Sequence, residues 1–128
     1  MNIPKDLHYT ASHEWIRIKG NTATIGVTDY AQQQLSDLTY VELPEKGDEV
    51  TASDEVAVVE SVKGASDVYA PLSGKILEVN SLVVDEPEII NSDPYGEGWL
   101  IKISLSDPEE IKDLLSADQY EEKIPEEE

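Results

Sequence analysis

Two runs of branched apolar residues, Val56-Ala57-Val58-Val59 and Val68-Tyr69-Ala70, are separated by a short polar segment that carries Lys63. Such runs favour extended strands, and Gly64 and Ser66 between them supply turn conformations that β-branched residues resist. The spacing predicts a hairpin with Lys63 standing out into solvent at its tip. An exposed lysine amine is protonated at neutral pH, and a lysine that performs its own chemistry needs burial or a neighbouring cation. Glu60 and Asp67 supply neither. An exposed lysine in a turn is by itself only a soluble charge. This setting suits acylation by another enzyme, which would mount a cofactor on a projecting arm.

Further strand signals surround the hairpin, each bounded by turn residues at short spacing. Trp15 to Ile18 and Thr22 to Val27 flank Lys19-Gly20-Asn21 and read as a second hairpin. Leu38 to Leu43 ends at Pro44, Lys75 to Val79 follows the break Pro71-Leu72-Ser73-Gly74, and Trp99 to Leu105 is the last run. Gly47-Asp48-Glu49-Val50 and Ser73-Gly74-Lys75-Ile76 open strands on either side of Lys63 and hint at a duplication. The pattern predicts a mainly β fold, a small sandwich or flattened barrel.

Helices are expected at the periphery. Thr28 or Asp29 can cap Tyr30 to Leu35, because a side-chain oxygen there accepts an unpaired amide of the first turn. A short turn is expected around Pro87 to Asn91. Ser106-Asp107-Pro108-Glu109 and Ser116-Ala117-Asp118-Gln119 match the capping-box pattern, with Ile111, Leu114 and Leu115 as an apolar stripe. Two short carboxyl-terminal α-helices should therefore fold onto the β core. Glu126 to Glu128 are expected to fray after Pro125, since no apolar residue follows to hold them.

Composition narrows the function classes. At 128 residues the chain is one domain's worth. It has no cysteine, which rules out disulfides, thiolate zinc sites and a cysteine nucleophile and fits a reducing compartment. The 28 acids and 9 basic residues give a net charge of −19, which repels phosphate backbones and anionic lipids, so neither nucleic acid nor membrane is an expected partner. Residues 107 to 128 hold ten acids and two lysines, leaving −11 on the rest, so the acidity is general. It serves solubility or steers docking onto basic faces of partner enzymes. No window approaches a membrane span, and Met1 to Asp6 lacks a signal or presequence pattern. A cytoplasmic location is expected, and a mature mitochondrial form would share these features.

Autonomous catalysis finds little support. His8 and His13 lie five residues apart, and on one strand they would fall on opposite faces, which disfavours a shared metal. Structural or surface roles are expected for both. No Gly-x-Ser-x-Gly elbow or phosphate-cradling lysine loop is present, and Gly96-Glu97-Gly98 is too short and runs into Trp99.

Five blocks carry a resemblance: Ser12-His13-Glu14-Trp15; Ile25 to Gln32; Val41 to Pro44; Glu60-Ser61-Val62-Lys63; and Asp93 to Ile103. In this order, over roughly residues 8 to 122, they resemble the glycine cleavage system H-protein family. The resemblance implies a single lipoyl-carrier domain over 1–128 with its core at about 8–122, a barrel-sandwich hybrid of the lipoyl/biotinyl type, beyond which 123–128 is the acidic tail expected to fray. It implies (R)-lipoate held as an amide on Lys63 and a carrier rather than an enzyme. Three partners follow: glycine decarboxylase, which loads the aminomethyl group of glycine; a tetrahydrofolate-dependent aminomethyltransferase, which removes it; and dihydrolipoamide dehydrogenase, which reoxidises the dithiol. Lipoate ligase or octanoyltransferase would attach the arm.

The same resemblance points to Ser12, Glu14 and Asp67 as contacts for the cationic cargo, and to Glu60 and Gly74 as determinants of lipoylation. Two residues keep a second reading: Glu14 as a solvated strand residue, and Gly74 as a turn glycine of positive φ. At position 64 the family more often has a small residue with a β-carbon, which puts the rigidity of the tip in question. Among rival carriers, biotinyl hairpins place methionines beside the lysine, whereas Val62 and Gly64 stand here. Acyltransferase lipoyl domains are shorter and joined to further domains. A protein that kept the barrel for hydrolysis or binding, and a reservoir donating lipoyl groups to other complexes, are the remaining alternatives.

Overall fold

The structure, a computed structural model, describes residues 2–124. Of the tail expected to fray at 123–128, Lys123 closes the last helix, and residues 125–128, with the fraying expected of Glu126 to Glu128, lie outside the described residues. Among the described residues, nine strands form two antiparallel sheets. The larger has the order β1 (His8–Tyr9), β2 (Glu14–Lys19), β3 (Thr22–Val27), β9 (Ile101–Leu105), β8 (Gly74–Val79) and β5 (Glu49–Val50). The smaller has the order β4 (Leu38–Glu42), β6 (Glu55–Ser61) and β7 (Gly64–Tyr69). This is the mainly β, lipoyl-like sandwich that the strand pattern and the resemblance predicted.

Alternation builds the core. On β9, Ile101, Ile103 and Leu105 are buried while Lys102 and Ser104 between them are only partly so, because successive strand side chains leave opposite faces. These residues meet Ile16 and Ile25 of the same sheet and Val41, Val59 and Val68 of the smaller sheet in one cluster. A register shift between Glu55 and Ala57 lets the consecutive Val56 and Ala57 both turn inward. The two segments that looked duplicated pair with each other, Glu49 opposite Lys75 and Val50 opposite Gly74.

Gly74 departs from its expected turn role. It is buried in β8, its φ is not in the left-handed region, and a β-carbon there would collide with the backbone oxygen of Ser104 on β9. Close strand approach, not a turn, requires glycine here.

The helices cover edges of the sandwich. Thr28 accepts the Ala31 amide at 3.2 Å and caps α1 (Asp29–Leu35), as expected. A helix that the sequence reading missed, α2 (Ser81–Asp85), is capped by Asn80 and precedes α3 (Glu88–Ser92). The first carboxyl-terminal helix is a 3-10 helix, Pro108–Asp113, capped by Asp107 rather than Ser106. The second, α4 (Ala117–Lys123), has the full capping box from Ser116 and Gln119. It packs Ala117 and Tyr120 with Leu7, Tyr9 and Trp15 into a second small core.

Candidate functional site

The hairpin around Lys63 is tighter than the sequence predicted. Ser61 pairs with Gly64, so the loop is only Val62-Lys63, and Gly64 and Ser66 belong to β7 instead of the turn. Gly64 carries φ +145°, a backbone state that L side chains rarely adopt. Glycine is therefore suited to this position, where the family more often has a β-carbon. The Ser61 hydroxyl accepts the Lys63 amide at 3.0 Å, and the Val62 amide reaches the Asp37 carbonyl at 3.2 Å. These bonds fix the tip while the Lys63 side chain remains exposed. Among the described residues no ion pair involves its amine.

Strand β7 leads from this tip to a cleft of about 260 Å³ between the sheets and α1. Ser12 and Glu14 line one side and Ser66, Asp67 and Val68 the other, with Val27, Val59 and Leu35 supplying apolar wall. Asp67 is three residues along β7 from Gly64, about 10 Å at the rise of an extended strand. The structure thus gathers Ser12, Glu14 and Asp67, which the resemblance grouped, in one concavity. Glu60 stays on the exposed face of β6, and Gly74 is buried in the other sheet, so these two share no surface with the cleft.

Glu14 is not the solvated strand residue of its second reading. It is 1% exposed. One carboxylate oxygen accepts the hydroxyls of Thr10 at 2.5 Å and Ser12 at 2.6 Å, and the other accepts the Tyr69 amide at 3.2 Å. All three donors are neutral, and no cation pairs with Glu14 among the described residues. A buried carboxylate without a counter-charge favours an arriving ammonium. A larger cavity of about 570 Å³ opens on the other side of Glu14, toward Tyr9, Ala52 and Leu114. It lacks Asp67 and lies beyond the cleft as one moves along β7 from Lys63.

Sequence reasoning missed two participants. Thr10 is the second hydroxyl on Glu14, and the spacing Thr10-x-Ser12-x-Glu14 was the available signal. His13 lines the cleft, whereas a structural or surface role was expected. The one-strand argument for His8 and His13 fails because a turn separates them: His8 is in β1 and His13, at φ +74°, precedes β2. Burial pushes the His13 imidazole below its ordinary range, against the opposing pull of Glu14. Among the described residues no group of histidines and acids is arranged to hold a metal.

Comparison with known proteins agrees with this geometry. The profile of the glycine cleavage H-protein family matches residues 7–127. A glycine cleavage system H protein of Carboxydothermus hydrogenoformans is 52% identical over 125 residues, covering 98% of this chain and 96% of that protein. One from Methylacidiphilum infernorum is 49% identical and covers 100% of both. The crystal structure of a glycine cleavage system H protein from Mycobacterium marinum superposes with a TM-score of 0.87 at 42% identity, covering 94% of this chain and 98% of that one. On sequence and structure alike, the chain belongs to the glycine cleavage H-protein family, the H component of the glycine cleavage system.

Proposed function

We propose that Lys63 carries lipoate in amide linkage and that the loaded arm docks in the cleft beneath the hairpin, where Ser12, Glu14 and Asp67 receive its cationic end. The observation that carries this reading is the course of the hairpin: a lysine at a two-residue tip with no ion pair among the described residues, and a cleft wall at Ser66 and Asp67 on β7, the strand that leads from it. The donor set suits the group, since apolar Val27, Val59 and Val68 match a hydrocarbon arm and a buried carboxylate matches an ammonium. Lipoate, when bound, would supply a dithiolane whose S–S bond breaks as one sulfur takes the aminomethyl group left by decarboxylation of glycine and the other becomes a thiol.

The chain's own residues do the rest. Lys63 provides reach and an attachment nitrogen, raising the local concentration of the reacting group at whichever enzyme is docked. Glu14 holds the cargo's positive charge, Ser12 and Thr10 keep that carboxylate in place, and the apolar walls exclude the water that would hydrolyse the cargo. No side chain here is asked to break or form a bond, so the chain serves as a non-catalytic carrier, one domain spanning 1–128. Its partners are glycine decarboxylase, the aminomethyltransferase, dihydrolipoamide dehydrogenase and a lipoate ligase or octanoyltransferase, toward whose basic faces the net charge of −19 steers it. Glu60, exposed three residues before Lys63, contacts the lipoylating enzyme, whereas Gly74 acts on lipoylation through the fold alone. The shuttle operates in the cytoplasm.

Glycine-dependent exchange of carbon dioxide, reconstituted with glycine decarboxylase and lipoylated chain, tests the reading. Exchange should require both lipoylation and Lys63, and equal exchange by Lys63→Arg would overturn it.

A further inference from the structure

The cleft wall contains a group that the carrier mechanism leaves unused. His13 Nδ1 lies 2.8 Å from the Tyr120 hydroxyl of α4, which lies 2.8 Å from the Thr28 hydroxyl. Thr28 in turn accepts the Ala31 amide at 3.2 Å as the cap of α1. Thr28 and Tyr120 are fully buried, so each hydroxyl proton needs an acceptor inside the protein. With the Ala31 amide already donating to Thr28, the remaining partner of the Thr28 hydroxyl among the described residues is Tyr120. Its proton therefore goes to Tyr120, and the Tyr120 proton goes to His13 Nδ1. That order leaves Nε2 as the protonated nitrogen of a neutral imidazole. The reverse order would strand the buried Thr28 proton.

We propose that Tyr120 is a positioning residue for the cleft: it fixes His13 as the neutral tautomer with its proton on Nε2, so that the wall beside Glu14 offers the docked arm a hydrogen-bond donor and no rival cation. The inference rests on the docking role proposed for the cleft. His13 and Tyr30 both line that cleft, with ring centres 4.8 Å apart, and Tyr120 is held by stacking on Tyr9 at 4.8 Å and 7°. The titratable groups around His13 are Glu14 on its own segment, Tyr30 of α1, Asp67 of β7 and Tyr120 of α4. Protonating His13 breaks the hydroxyl chain and places a positive charge next to the carboxylate meant for the cargo. The carboxyl-terminal helix thereby contributes to cargo retention from outside the cleft, through one hydroxyl.

Nitrogen-15 NMR of the unlipoylated chain reads the tautomer without any cargo. The wild type should show Nε2 protonated and Nδ1 bare and hydrogen-bonded at neutral pH. Tyr120→Phe removes the donor to Nδ1 and should leave His13 as a mixture of its two neutral tautomers. A proton on Nδ1 in the wild type, or the same single tautomer in Tyr120→Phe, overturns the proposal. On the loaded protein, Tyr120→Phe should shorten cargo lifetime about fivefold at neutral pH, the scale of one lost neutral hydrogen bond. His13→Asn, compatible with the positive φ and too short to reach Tyr120, should abolish any fall in lifetime that the wild type shows between about pH 7 and pH 5. Unchanged lifetime in Tyr120→Phe alone removes this inference. Unchanged lifetime in Glu14→Ala as well removes the docking role of the cleft itself.

Discussion

The carboxylate of Glu14 on β2 accepts the backbone amide of Tyr69 on β7 at 3.2 Å, so one acidic side chain joins the two sheets at the point where the cleft closes. The same group both supports the fold and supplies the negative charge of the site.

Glu14→Ala should therefore do two things. Removing the carboxylate orphans the Tyr69 amide, which costs about 1–3 kcal/mol of stability, measurable by denaturant unfolding. It should also shorten the lifetime of the loaded arm while leaving lipoate attachment intact. Glu14→Gln separates the effects: it restores acceptance from Tyr69 and most of the stability, but lacks the charge and should lose cargo as Glu14→Ala does. Retention by Glu14→Gln equal to wild type would show that charge plays no part.

Gly74 and Glu60 should respond in opposite ways. Gly74→Ala pushes a methyl against the Ser104 carbonyl and should destabilise the chain by about 1–3 kcal/mol or more, with any loss of lipoylation tracking the loss of fold in thermal melts. Glu60→Gln, on an exposed strand position, should leave melting unchanged and slow lipoylation. Normal lipoylation of Glu60→Gln would remove that residue from the attachment interface.

The hairpin tip is held by Ser61. Ser61→Ala deletes the acceptor of the Lys63 amide and should speed hydrogen exchange at that amide severalfold, with at most about 1 kcal/mol of global destabilisation. Exchange as slow as wild type would mean that the turn is fixed by its strands alone.

The pH dependence of stability follows from His13. Burial lowers its pKa in the folded state, so below the unfolded value of about 6.5 the unfolded chain binds more protons. Stability is full above that pH and falls as the pH drops from there through the folded value. Unfolding free energies of wild type and His13→Asn, measured between about pH 5 and 8, should converge on acidification. A constant difference across that range would contradict the assignment.

Much of this was legible in the chain. Strand periodicity placed β2, β3, β4, β6 and β9 within a few residues, and the Ser116 box placed α4, because alternation and capping are local properties. What escaped depended on distant partners. Gly74 looked like a turn glycine because Ser104, thirty positions on, is invisible from its neighbourhood. The bond of His13 to Tyr120 escaped because the two lie 107 positions apart. The two readings of Glu14, cargo contact and solvated strand residue, stayed open because the strand that buries it, β7, meets it only in the folded sandwich.

Peptide mapping of the chain purified from cells that lipoylate their own proteins tests the central claim most directly. The account predicts a lipoyl amide on Lys63 and on none of the other lysines. An unmodified Lys63 in a chain whose hosts carry lipoate elsewhere would contradict it.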